Sequence, residues 1–595
     1  MDEAGTSEET ERGVETLWEI GSSGEDAEAL GKELGVSPLL AGLLAERGYR
    51  DPAEASRFLN PRLSELEDPF RLIGLREAAE RLRKAIVQRQ WTLVYGDYDV
   101  DGVSSTALLV RALRLLGAPA SAFIPERASE GYGLTRKGLE RAFGLVRRDR
   151  ALHGEQGKGS PDLIVAVDCG TTSIEELAWI SEQGIEAVVV DHHRPAGRWP
   201  QACAIVNPHQ DGSGSRLASA GLVFKLLHGL LKLEPAYRER LALRDELDLV
   251  ALGTVADLVP LTGDNRILVA RGLDQLGRRR LPGLRALASI SNVGERPTAD
   301  DVAFRLAPRL NASGRLDDAM ESLRLLLTDS AAEAEKGALS LHRKNLQRRL
   351  VEREMLEEAL GSLENEPSAC TRGAIVVGKR GWHAGVAGVV ASRLLNRYHR
   401  LVAVVAFDES GEGRGSARGI SGLSIVEGLR ASEAHLNKFG GHDLAAGFSL
   451  REENLPAFRE SLARWARCAG SPEIFRKRLK IARELPLSAA GISLYEELER
   501  LAPFGTGNVR PLFAFPALSL DRPPVQARGR TRIFLRSGDA RCEAFGFDLG
   551  TRDPLSGRFQ IAGHLDWDTL GRKVRVRIVD WRAEPGGSRP SATVE

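Results

Sequence analysis

The chemistry in this chain starts at GDYDVDG (residues 96–102), where Asp97, Asp99 and Asp101 alternate with other residues directly behind the apolar run WTLVYG (91–96). In extended backbone, side chains two apart point the same way, so the three carboxylates are expected to share a face. Carboxylates held that close repel one another unless a cation lies among them. A calcium-binding EF-hand loop also begins D-x-D-x-D-G. It requires a glutamate at its twelfth position, which is Leu108 here, and a helix rather than a strand before it. The calcium loop is therefore excluded, and a solvated acidic turn stays open while the triplet is considered alone.

Two further strand-like runs narrow that choice. LIVAVD (163–168) ends on Asp168, followed by Cys169 and Gly170, and AVVVD (187–191) ends on Asp191, followed by His192 and His193. In open parallel sheets, ligands gather outside the carboxyl ends of the strands. A helix cap would account for Asp168 by itself, but not for three acidic strand ends together with a histidine pair. Asp257, in the otherwise apolar GTVADLVPL, is a fourth candidate, because a buried carboxylate without a partner is costly. A hydrogen bond at a helix end is its competing explanation. A mixed Asp/His set without thiolates suits Mg²⁺ or Mn²⁺, with the imidazoles favouring Mn²⁺. Enough ligands are present for two ions, and two-metal sites activate water and stabilise charge during in-line displacement at phosphorus. The chain has neither a P-loop nor a dinucleotide fingerprint, which disfavours NTP-driven work and hydride transfer.

The elements that must position these residues read as strands alternating with helices. WTLVYG, SAFIP, LIVAVD, AVVVD and AIVNP (204–208) are strand-like, and STALLVRALRLLG (105–117) and SIEELAWISEQG are helix-like. Strands apolar on both faces and separated by helices imply a parallel sheet covered on both sides. Before them, from Leu17 to about Gln90, short helices with polar breaks are expected. RRDRALHGEQGKGSPD (147–162) reads as a polar surface insertion. Ala331–Asn365 has helical spacing, dense mixed charge and no proline, which predicts one long helix. A second α/β pattern follows at AIVVG (374–378), a helix from about Val386 to Tyr398, and LVAVVAF (401–407). Beyond about Lys480 the short alternating strands RIFLRS, CEAFGF, FQIAGHL and KVRVRIVDW predict a small OB-like β-barrel.

The bulk numbers set the frame. At 595 residues several domains are expected, and 42% hydrophobic with 28% charged residues describes an ordinary globular chain. Formal charge is zero, so any basic surface for nucleic acid must be local. The acidic start MDEAGTSEETER is unlike a secretion signal, and no apolar run reaches the roughly 18 to 20 residues that span a bilayer. Five scattered cysteines without a Cys-x-x-Cys pair are expected to be reduced, and a cytoplasmic location is expected with them.

Taken together, these residues resemble the DHH phosphoesterase superfamily and, within it, the RecJ single-strand exonucleases. The triplet that gives the superfamily its name corresponds to Asp191-His192-His193, and the likeness runs from about Leu17 to Trp581. GDYDVDG, VDCG (167–170), the Asp-His-His and TVADLVPL (254–261) carry it in the first half. The resemblance implies that Asp97, Asp99, Asp101, Asp168, His192 and Asp257 ligate two Mn²⁺ or Mg²⁺ ions. It further implies catalytic parts for Asp99, Asp101 and His193, the last assisting the scissile phosphate or orienting the site. IPER and EGYGL imply DNA contacts by Arg127 and Tyr132, although Tyr132 could equally be core. RLNASGR (309–315) adds Arg309, Asn311 and Arg315. GWHAGVAGVVASRL (381–394), GRGSARGISG (413–422) and FGGHDLAAGF (439–448) resemble the DHHA1 domain and add His383, Ser416, Arg418 and His442; either histidine could instead be packed in a core. Two features depart from the family picture: the polar stretch at 147–162, and Ile420, where a small or polar residue is expected.

The implied architecture is α/β. A tail (1–16) and an N-terminal helical segment (17–90) precede a parallel-sheet DHH domain (91–330), and a long helix (331–365) leads to a smaller α/β DHHA1 domain (366–475). An OB-like barrel (480–583) and a tail (584–595) complete it. Phe504, Phe513, Phe515 and Phe545 are candidate base-stacking residues on the barrel that could equally be core. The implied activity is 5′→3′ exonucleolytic release of mononucleotides from single-stranded DNA by a monomer, in DNA repair and recombination. A single-strand-binding protein and a RecQ-type helicase are the family's expected partners. A DHH phosphodiesterase for cyclic dinucleotides or very short RNA, and a non-catalytic DNA-binding scaffold, are the competing readings.

Overall fold

The computed structural model describes residues 16–22, 26–126, 130–131, 133–154, 159–210, 216–316, 318–366, 372–527, 530–547, 557–568 and 571–584. Contacts divide the chain into two compact units: Tyr49–Gln347 with Leu501–Arg510, and Met1–Gly48 with Arg348–Arg500 and Pro511–Glu595. Among the described residues no helix is long and apolar enough to cross a membrane.

The first unit is built on five short strands: β1 (Thr92–Tyr95), β2 (Ala120–Phe123), β3 (Leu163–Val167), β4 (Glu186–Val190) and β5 (Ala204–Val206). They pair in the order β2-β1-β3-β4-β5, every pair parallel. Alternate strand residues feed two cores. Val94, Val165 and Val188 pack with the helices of one face, while Leu93, Tyr95, Ile164 and Val189 pack with Leu139, Leu177 and Ile180 on the other. Burial on both faces is why these strands read as continuous apolar runs. From β1 the chain crosses to β2 on one side and then to β3 on the other. That reversal opens a crevice at the carboxyl ends of β1 and β3, the expected seat of a ligand.

Five helices of this unit bear on the site: α1 (Val100–Leu115), α2 (Ile174–Glu182), α3 (Ser219–Leu233), α4 (Leu247–Ala256) and α5 (Ala307–Leu316). The anticipated surface insertion at 147–162 is corrected in its first part, because a helix spanning Arg136–Leu152 runs through it. Arg150 there pairs with Asp162 at 2.6 Å, and Asp162 also accepts the Trp91 N–H at 2.8 Å, so the segment is tied to the start of β1. The single long helix is found as α6 (Ala331–Glu364).

The second unit contains a mixed sheet of β6 (Ala374–Arg380), β7 (Leu401–Phe407), β8 (Glu412–Arg418), β9 (Lys438–His442) and β10 (Ala445–Arg451), ordered β9-β10-β8-β7-β6. Helix α7 (Ala384–Tyr398) covers one face. The expected small barrel is present as β11 (Phe513–Ala527), β12 (Arg530–Ser537), β13 (Ala540–Phe547), β14 (Phe559–Asp568) and β15 (Lys573–Ala583), closed by pairing of β14 with β11. Its interior includes Phe513 and Phe515, fully buried, and Phe545, nearly so; Phe504, in the other unit, is also buried. These four aromatics are therefore core residues and not stacking platforms. One local expectation fails at the N-terminus. The stretch read as helical from Leu17 opens on a strand, Leu17–Ile20, paired in parallel with Arg478–Ile481. Trp18 in that strand donates its indole N–H to Asp580 at 2.9 Å.

Candidate metal centre

The turn from β1 into α1 shapes the site. The chain does not stay extended through GDYDVDG: Asp97 lies in the turn, Asp99 is the N-cap of α1, and Asp101 sits in its first turn. The three carboxylates therefore do not share one face, which corrects the alternation argument. Gly96 and Gly102 make this tight turn possible. A Cβ at Gly102 would lie 2.5 Å from the Asp97 carbonyl oxygen, and one at Gly96 would lie 2.0 Å from Thr106 Oγ1. The triplet divides instead. Asp97 and Asp99 join Asp168 in one group, Asp101 joins His192 and Asp257 in a second, and Asp168, His192 and His193 form a third. Within each group the potential ligand atoms lie within 4.8 Å of one another.

Backbone amides hold three of the carboxylates, Asp99, Asp101 and Asp191. Asp99 Oδ1 accepts the N–H groups of Asp101 and Gly102 at 2.9 and 3.1 Å, a helix cap. Asp101 accepts the Ser219 and Ala220 N–H groups at 2.7 and 3.0 Å, so it caps the start of α3 from another helix. The helix-cap explanation describes Asp99 and Asp101 but not Asp168, since the helix that follows it has Ser173 at its cap position. Asp168 has a left-handed backbone (φ 60°) and receives the Ser219 hydroxyl at 2.9 Å. Asp191 accepts from the N–H groups of Thr171, His192 and His193 and binds the His193 ring at 2.7 Å. Asn207 ties Thr171 Oγ1 to the His193 carbonyl, each at 2.9 Å. Asp257 stands at the C-terminal end of α4, its Oδ2 turned to His192 at 3.5 Å, so the helix-end alternative does not describe its side chain.

The electrostatics follow from this crowding. Burial, then the charges of Asp99 and Asp101, hold Asp168 far above the usual carboxylate range. Burial pushes Asp257 up to about 7, with Asp101 adding to the rise and His192 opposing it. Burial likewise lifts Asp101 to about 6 against the attraction of His192. Burial would depress His192, but the carboxylates of Asp257 and Asp101 outweigh it and raise the ring. His193 is raised to about 9, because its hydrogen bond and charge pairing with Asp191 overcome desolvation. In Asp191 the same pairing overcomes burial and lowers the carboxyl. The donor set fits a hard or borderline divalent cation: oxygens and imidazole nitrogens, no sulfur, and mutual repulsion that a cation would relieve. The buried Nε2 of His192 is also poised as a ligand atom. It has no hydrogen-bond partner among the described residues and lies 3.4 Å from Asp168 Oδ1.

The remaining candidates fall outside this cluster or outside the described residues. Arg127, Tyr132 and the side chain of Arg315 are not described. In α5, Arg309 hydrogen-bonds His342 at 3.2 Å and Asn311 is half-buried. A Cβ at Gly314 would approach the Tyr98 carbonyl to 2.9 Å, so α5 packs on the GDYDVDG turn itself. In the second unit His383 is the N-cap of α7, its Nδ1 accepting the Gly385 N–H at 3.1 Å, and His442 is exposed on β9. Neither is a packed core histidine. Arg418 on β8 donates to Ser416 Oγ at 3.0 Å and Ser392 Oγ at 3.2 Å, close under Gly388 of α7. Ser219, Asn207 and Gly253 were not anticipated. A Cβ at Gly253 would lie 2.5 Å from both Asp101 Oδ1 and Ser104 Oγ, and nothing local in the sequence announces that contact.

Comparison with known proteins decides the family. The DHH family N-terminal domain matches residues 91–254, the DHHA1 domain 371–467 and the RecJ OB domain 481–579. The chain is 34% identical over 550 residues to the single-stranded-DNA-specific exonuclease RecJ of Haemophilus influenzae, covering 88% of this chain and 91% of that protein. The chain belongs to the RecJ family. The RecJ of Bacillus subtilis is 36% identical over 544 residues, 90% of this chain and 66% of its own length. This chain thus spans somewhat less than two thirds of the Bacillus protein, and 63% of the RecJ of Thermus thermophilus. A crystal structure of RecJ from Thermus thermophilus in complex with Mn²⁺ superposes with a TM-score of 0.80 at 33% identity, covering 96% of this chain and 80% of that one. The same protein is also known in complex with Mg²⁺.

Proposed function

We propose that this protein is a metal-dependent exonuclease that hydrolyses single-stranded DNA from the 5′ end and releases mononucleotides, in DNA repair and recombination. The observation that carries the reading is the division of the acidic motif into two ligand groups, Asp97–Asp99–Asp168 and Asp101–His192–Asp257, on the crevice between β1 and β3. Two Mn²⁺ or Mg²⁺ ions bound there would activate water and stabilise the charge of an in-line displacement at phosphorus. The residues' own work is positional. Asp99 holds the first turn of α1 in place and presents its carboxylate beside Asp168. Asp101 is anchored by α3 and faces His192 and Asp257. His193, kept protonated and oriented by Asp191, offers a cationic N–H donor to the scissile phosphate.

Arg127, Tyr132, Arg309, Asn311 and Arg315 are the strand-binding residues in this reading. His383, Ser416, Arg418 and His442 hold the terminal phosphate, where the glycines of β8 and β9 let backbone approach closely. A cytoplasmic monomer working with a single-strand-binding protein and a RecQ-type helicase completes the proposal. The test is incubation with Mn²⁺ or Mg²⁺ of single strands labelled at either end, a duplex and a cyclic dinucleotide. Mononucleotides from the 5′ end of single strands alone support the reading. Cleavage confined to the cyclic substrate would replace it with a small-substrate phosphodiesterase. Binding without turnover would make the protein a scaffold.

A further inference from the structure

We infer that Ser219 is a positioning residue of the metal centre, one that locks a carboxylate from each of the two ligand groups at once. The inference rests on the proposed divalent-ion site and adds to it a residue outside the ligand set. Ser219 is fully buried at the start of α3. Its N–H donates to Asp101 Oδ2 at 2.7 Å, and its hydroxyl donates to Asp168 Oδ1 at 2.9 Å. That Asp168 oxygen is the one facing His192 Nε2 at 3.4 Å.

A serine at the beginning of a helix ordinarily caps that helix with its own oxygen. Here the cap position is Ala218, which has no side-chain acceptor, and the Asp101 carboxylate supplies the acceptors from α1. The Ser219 hydroxyl is thereby free to turn into the site. A fully buried hydroxyl left without a partner is costly, so its bond to Asp168 is strongly enforced. Asp168 in turn needs an external restraint. Its carboxylate belongs to two of the three ligand groups, and rotation about its terminal bond would exchange the oxygens offered to them. The Ser219 bond removes that freedom before any ion arrives, which is how supporting hydrogen bonds raise the affinity of a metal site.

The test uses the full-length protein stripped of metal, with Mn²⁺ binding followed by calorimetry and by the loss of the free-ion electron paramagnetic resonance signal. Ser219→Ala keeps the backbone clamp on Asp101 and deletes only the hydroxyl. It is expected to bind Mn²⁺ roughly tenfold more weakly, while the melting midpoint of the metal-free protein stays within about 2 °C of the parent. Ser219→Thr, which keeps the hydroxyl, is expected to restore most of the affinity. Unchanged affinity in Ser219→Ala would overturn the inference and leave the metal site standing. Equal losses in the alanine and threonine variants, or a collapse of the metal-free melting midpoint in the alanine variant, would assign the residue to packing and also overturn it. Absence of Mn²⁺ binding by the parent protein would remove the metal site, and the inference with it.

Discussion

The two candidate sites of this protein are built on opposite principles. In the first unit Asp97, Asp101, Asp168 and Asp191 are buried, and amides or a hydroxyl position most of their oxygens. In the second unit His383 and His442 are exposed, and Arg418 rests on Ser416 and Ser392 beside strands rich in glycine. A site that only grips a phosphate can leave its cations hydrated and let backbone N–H groups come close. A site that performs hydrolysis needs charge fixed in place beforehand, at a cost in repulsion and desolvation that a bound cation offsets. Under the proposed function the first site does the chemistry and the second holds the strand end, and substitutions should separate them.

The largest separation is expected from Asp168→Asn. It removes a buried carboxylate that Asp99, Asp101 and Asp97 repel, so nuclease activity should fall by at least about a thousandfold. The metal-free protein should melt at the same temperature or higher, since the repulsion is relieved. Activity within tenfold of the parent would break the contrast at its root. Next in size is Gly253→Ala. Its methyl group would press on Asp101 Oδ1 and Ser104 Oγ, each 2.5 Å from an ideal Cβ. A shift of this kind in a reacting geometry costs about a hundredfold in kcat, with Mn²⁺ affinity lowered in parallel. Steady-state kinetics and metal titration of the same preparation check both. Arg418→Ala should act on the other site: KM for a 5′-phosphorylated strand rises roughly tenfold, kcat changes less than about threefold, and Mn²⁺ affinity is unchanged. A fall in kcat without a change in KM would mean that the second site also takes part in the chemistry.

The smallest effect comes from a buried acid that belongs to neither site. Asp248 on α4 is lifted to about 7 by burial and by the neighbouring Glu246, which Arg111 holds at 2.8 Å. Its folded value lies above the unfolded one, so the folded chain binds the extra proton, and stability falls as pH rises from about 4 through 7. Asp248→Asn should therefore raise the melting midpoint by about 2 °C at pH 8 and by less at pH 5, with activity preserved. A stabilisation that is larger at pH 5 than at pH 8 would contradict that sign.

Much of this was legible in the sequence because it is written locally. The five strands of the parallel sheet, the 34-residue helix α6 and the closing barrel all follow from apolar periodicity and turn residues. Five of the six ligand candidates were found because they sit on motifs at strand ends, and Asp257 because its surroundings are apolar. Most of what escaped depends on residues far apart in the chain. The division of the triplet required knowing that Gly96 and Gly102 fold the loop back onto itself. Ser219 and Gly253 act through α3 and α4 packing on α1, contacts that no spacing rule exposes. The Leu17–Ile20 strand exists because Arg478–Ile481 pairs with it, and a four-residue run alone gives no sign of that partner.

An anomalous difference map from crystals of this protein soaked in Mn²⁺ tests the two-ion site itself. Two peaks are predicted, one among Asp97, Asp99 and Asp168 and the other among Asp101, His192 and Asp257. A single peak touching all three aspartates of GDYDVDG, or peaks away from the ends of β1 and β3, would contradict the division of the triplet on which the account depends.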